Sequence, residues 1–109
     1  MTKNSAAKDP ERNVWLQLGF ADAETHFLKA ELVHCLDKRI KTLNLTQQTA
    51  AARIGATQPE LSKILRGKFS EVSLERLIRF LAALGHPIEI KVGAPGRRKG
   101  DIVVRSKAA

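Results

Sequence analysis

Between positions 58 and 68 the chain sets out Gln58, Pro59, Ser62, Lys63, Arg66 and Lys68, with Leu61, Ile64 and Leu65 among them. Stepping roughly 100° per residue around a helix places the three apolar residues on one side. Pro59, Ser62, Lys63 and Arg66 fall on the opposite side, with Gln58 at its edge and at the helix start. These groups suit a DNA duplex. A glutamine amide matches the donor and acceptor on an adenine edge, a lysine ammonium can donate to guanine, and a proline ring can touch a thymine methyl. Ser62 lies beside them as a fourth candidate base reader. Arg66 and Lys68 suit phosphate, which fixes register without reading sequence.

Such groups need a rigid mount, and the residues just before them supply one. Thr46 is a good N-cap, because its hydroxyl can accept from first-turn N–H groups. Gln47 to Ile54 is rich in helix formers, and the small Ala50 and Ala51 permit close approach of another helix. Gly55 marks the turn, where positive φ carries no steric cost for glycine. Thr57-Gln58-Pro59-Glu60 has capping-box spacing, which accounts for Glu60 as a cap partner rather than a base contact. Pro59 is tolerated because first-turn N–H groups have no intrahelical partner. Residues 46–67 thus read as a helix-turn-helix whose second helix enters the major groove by its N-terminal residues. A wet outer face is all that an ordinary amphipathic helix pair requires. The cap, the alanine pair, the glycine turn and the Ser-Lys after Leu61 together point further.

The segment resembles the lambda-repressor/Cro-like (Xre) helix-turn-helix family, on Thr46, Gln47, Ala51, Ile54, Gly55, Thr57, Leu61, Ser62, Ile64 and Gly67. The resemblance implies that Gln47 contacts phosphate and braces Gln58. The wider chain, from Asn13-Val14 through the Leu-Gly-His-Pro-Ile-Glu-Ile run, is similar to a subgroup of stand-alone regulators and HigA-type antitoxins. Ala56 departs from the pattern, which usually carries Val or Ile there, so looser packing at the turn is expected.

With 109 residues, 43% of them apolar, the chain has enough for one domain of modest core. A net charge of +8 favours a polyanionic partner. No apolar run approaches the roughly 18 residues of a membrane span, and the first ten residues lack the apolar stretch of a secretory signal. A cytoplasmic location is expected. The single cysteine, Cys35, shares a helical face with Leu28, Leu32, Leu36 and Leu43 and reads as a small buried hydrophobe.

Residues 1–12 read as a flexible arm, 13–92 as the DNA-binding domain and 93–109 as a flexible basic tail. Asp22 is expected to cap a long helix running to about Leu43, with Lys38, Arg39 and Lys41 suiting its C-terminal dipole. Trp15 and Phe20 are expected to cover this helix; five aromatic residues, none of them Tyr, are few for a base-stacking platform. Ser73 caps a fourth helix, with Val72 and Leu77 as a hydrophobic staple, and Gly85 and Pro87 end it. Its apolar residues lie nearly all round, which predicts the core on one side and a partner on the other. Ile88-Glu89-Ile90-Lys91-Val92 alternates as a strand does. Its edge can pair with the same strand of a second copy or with Ile102-Val103-Val104 of its own tail, the dimer being favoured. The fold class is therefore all-α: a compact helical bundle containing a helix-turn-helix, with a short C-terminal β-strand pairing in a dimer.

His26, His34 and His86, with Glu24 and Glu31, form no catalytic or zinc-binding spacing, so neither an enzyme nor a cofactor is expected. Two functional readings remain. One is a homodimeric repressor that binds double-stranded operator DNA. The other is an antitoxin that neutralises a cognate RNase-type toxin protein and represses its own operon, supported by the apolar surplus around Trp15, Phe20 and the fourth helix. RNA binding has no aromatic or GXXG platform behind it.

Overall fold

A computed structural model describes the backbone of residues 10–107 and the side chains of residues 23–107. Four helices follow one another: α1 (Pro10–Thr42), α2 (Gln47–Ile54), α3 (Gln58–Leu65) and α4 (Leu74–Ala83). Each of the three shorter helices starts at the cap its sequence offers. The Thr46 hydroxyl accepts from the Thr49 N–H at 3.0 Å, Thr57 from Glu60 at 3.2 Å and Ser73 from Arg76 at 3.1 Å.

The core lies where α4 crosses α1 and α2, with α3 closing it from the other side. Leu36, Leu61, Ile64, Leu77 and Leu84 are fully enclosed there. Each such side chain contributes about 1.5–3 kcal/mol by leaving water. Ala50 and Ala51 are buried as well, which lets α2 lie close to its neighbours. Ala56 packs half-buried against the same cluster, and so does Cys35.

Three expectations change. The long helix does not begin at Asp22; its backbone is helical from Pro10, through Gly19 and Asp22. Ala21, Ala23 and Glu24 are good helix formers, and one interior glycine, at about 1 kcal/mol, does not outweigh its neighbours. The arm read over 1–12 therefore overlaps α1 at its last three residues; residues 1–9 and the Trp15 and Phe20 side chains lie outside what is described.

Secondly, no strand is present among the described residues. Residues 88–92 are non-helical, and none of their backbone groups bonds to other described backbone. A ladder needs a second edge, and no described segment, Ile102-Val103-Val104 included, pairs with this one. Thirdly, α4 has no large hydrophobic side chain left exposed. Leu77, Phe80 and Leu81 are buried and Leu74 and Ile78 half-buried, because α1 and α2 cover it from two directions.

The tail after Gly93 returns to the body of the fold. Val104 packs against the core, and the Ile102 N–H donates to the Glu24 carboxylate at 3.1 Å. Although α1 is 33 residues long, no helix among the described residues is long and apolar enough to cross a membrane.

Candidate nucleic-acid interface

The α2–α3 pair sets the geometry of the proposed interface. Gly55 terminates α2 in the left-handed region at φ 79°, a conformation that costs an L side chain about 1–2 kcal/mol. The Ala56 N–H then closes back on the Ala51 carbonyl at 2.9 Å. At the far end of α3, Gly67 takes φ 97°, its N–H donates to Ile64 and the Lys68 N–H donates to Lys63. That paired closure is a Schellman motif. It fixes where Arg66 and Lys68 leave the helix, and its signal in the sequence was Gly67 itself.

With α3 so held, Leu61 and Ile64 point into the core, while Gln58, Pro59, Lys63, Arg66 and Lys68 are exposed. Ser62 is half-buried and sits at the margin of this face. Among the described residues no carboxylate pairs with Lys63, Arg66 or Lys68. No described acidic group therefore neutralises their charge.

Gln47 and Gln58, eleven residues apart, open α2 and α3 and meet side by side. The Gln58 Nε2 donates to the Gln47 Oε1 at 3.2 Å. This uses one of two amide hydrogens on Gln58. Its other N–H and its carbonyl oxygen remain for a bidentate pair with an adenine edge.

The helix-turn-helix domain family matches residues 14–93. A solved structure described as “Putative XRE Family Transcriptional Regulator” is 34% identical, with a TM-score of 0.69, covering 81% of this chain and 99% of the other. The chain belongs to the XRE helix-turn-helix family. No curated protein matches its sequence.

Two anchors of this XRE domain escape a reading of local sequence. The first is Arg76 of α4, whose guanidinium binds both Glu60 carboxylate oxygens, Nη2 to Oε1 at 2.8 Å and Nη1 to Oε2. Arg76 also lies over the Phe80 ring, 5.0 Å from its centre. The Arg76 guanidinium holds the Glu60 carboxyl below its ordinary value of 4.5 against the opposing effect of desolvation, with a smaller share from the Thr57 backbone. Glu60 is thus more than the cap partner its spacing suggests; its main partner comes from another helix.

The second anchor secures the α3–α4 loop to α1. Lys29 Nζ donates to the Ser70 carbonyl at 2.8 Å, and the His26 ring stacks on Phe69 with centres 5.3 Å apart. Phe69 is buried, so the loop leaving Lys68 is held at its next residue.

Proposed function

We propose that this XRE-family protein is a sequence-specific DNA-binding repressor that acts as a homodimer. The observation that carries the reading is the exposed, unneutralised face of α3, with Gln58 braced by Gln47 at its leading end. Gln58, Pro59, Ser62 and Lys63 meet base edges in the major groove, while Gln47, Arg66 and Lys68 hold phosphates. Two copies then read half-sites about 34–36 Å apart, one turn of the duplex. The solved relative's description supports regulation of transcription.

Selection from a random duplex pool, followed by gel shifts at fixed salt, tests this. The protein should enrich a palindromic site and bind it at least about a thousandfold more tightly than scrambled DNA. Equal affinity for enriched and scrambled duplexes would overturn the reading.

The antitoxin reading has less behind it. Its apolar surplus on α4 is covered by the protein's own helices, and among the described residues the large apolar side chains that stand exposed are Phe27 of α1 and those at residues 88–92 and 102–103.

A further inference from the structure

Ile88, Ile90 and Val92 are 40%, 81% and 93% exposed, an unusual display for side chains of that size. Glu89 and Lys91, between them, are exposed too. The N–H and C=O groups of residues 88–92 have no backbone partner among the described residues. The tail, at Val103 to Lys107, shares a cavity wall with Ile88, Glu89 and Lys91 without forming any ladder bond to them. The segment is therefore a strand in pattern that lacks an edge to pair with.

We infer that this edge is completed by the same segment of a second copy, antiparallel, with the two-fold axis at Ile90. The inference rests on the homodimer proposed above and specifies its interface. Charge excludes the alternatives in turn. Parallel in-register pairing would set Glu89 on Glu89 and Lys91 on Lys91, two like-charge clashes. Antiparallel pairing centred on Glu89 or on Lys91 sets one of those clashes on the axis itself. A shift by a single residue places charged side chains opposite apolar ones. Centring on Ile90 sets Glu89 opposite Lys91 twice, Ile88 opposite Val92 twice, and Ile90 opposite its own copy. Of the registers a two-fold axis allows, the five-residue segment is self-complementary in that one alone.

The consequence is an isologous interface, because each copy offers the same patch to the other. Three exposed apolar side chains from each copy would line one face of the two-stranded ribbon, and two ion pairs would line the other. The pairing also satisfies backbone groups on the free edge, which otherwise invites uncontrolled association.

Sedimentation equilibrium of the full chain tests the register through charge reversal. Wild type should be dimeric. Glu89→Lys and Lys91→Glu should each weaken dimerisation at least tenfold, since each variant faces its own copy with like charges. An equimolar mixture of the two should recover a dimer, because lysines at 89 and 91 then face glutamates at 91 and 89. The double variant carrying both changes should dimerise by itself. If the single variants stay as dimeric as wild type, the register is overturned while the dimer stands. A monomeric wild type would overturn the dimer and the register together, and half-site DNA binding would still be measurable. A mixture that stays monomeric although both variants keep wild-type helical circular dichroism would also overturn the register.

Discussion

Arg76 grips Glu60 from the corresponding position of another helix: each is the third residue after its cap, Ser73 for α4 and Thr57 for α3. The backbone N–H of each closes its own cap while the side chains join the two helices. The first turn of α3, which carries Gln58 and Pro59, is thereby locked to α4. Arg76 is in turn steadied by the Phe80 ring, which is buried. A positioning role for Arg76 follows, exerted through Glu60 on the residues proposed to meet bases.

The pair is still partly in water, with side chains 41% and 31% exposed. Its contribution to stability is therefore about 0.5–1 kcal/mol, near the top of the range for exposed pairs because the geometry is bidentate. Glu60→Gln should remove that much at neutral pH in urea unfolding. The pH dependence has a definite sign. Glu60 titrates lower in the folded chain than the ordinary 4.5, so its stabilisation is present above that value. It is lost as pH falls through the lower folded value. Wild type and Glu60→Gln should accordingly converge in stability under acid, and a constant gap between them at every pH would refute the assignment.

Lys63 and Arg66 are both exposed and have no carboxylate partner among the described residues, yet different outcomes are expected of them. Lys63 sits over the base edges in the proposed docking, so Lys63→Ala should narrow the gap between specific and random DNA by about 1–3 kcal/mol. Arg66, at the C-terminal cap of α3, meets phosphate instead in that proposed docking. Arg66→Ala should weaken binding to all duplexes alike and reduce the slope of log affinity against log salt by about 1. Gel shifts over a salt series separate the two. Parallel losses in both variants would remove the distinction between reader and clamp.

The Gln47–Gln58 bond makes a prediction about additivity. If Gln47 holds Gln58 in place for an adenine edge, Gln47→Ala loses its phosphate contact and part of the Gln58 contribution together. The double variant should then fall short of the summed losses by about 0.5 kcal/mol or more in operator binding. Strict additivity in that double-mutant cycle would mean the two amides act independently.

What the sequence made legible was local. Thr46, Thr57 and Ser73 act within three residues, so hydroxyl spacing alone locates three helix starts. Gly55 is equally local, since its backbone requirement needs no neighbour. The helix runs through Asp22 because an aspartate can cap a helix without being obliged to, and the alanines around it favour continuation. Nothing at residues 60 or 76 announces their pairing, which depends on where the fold sets the first turn of α4 relative to that of α3. α1 and α2 together bury the α4 surface that pattern alone assigned to a partner. Residues 88–92 carry a strand pattern without a strand, because pairing is a property of two edges and none of the described residues bonds to this one.

Gly55 offers the sharpest test of how the turn positions α3. A Cβ built there meets nothing within 4 Å, so packing leaves room for alanine. The backbone does not, because φ is 79°. Gly55→Ala should therefore destabilise the fold by about 1–2 kcal/mol through strain alone. Asparagine, which tolerates the left-handed region better, should recover part of that loss. Thermal unfolding should rank glycine above asparagine and asparagine above alanine. Operator affinity should fall in the same order if the alanine chain relieves its strain by re-aiming α3. Unfolding data in which alanine matches glycine would mean that the turn does not hold this conformation in solution.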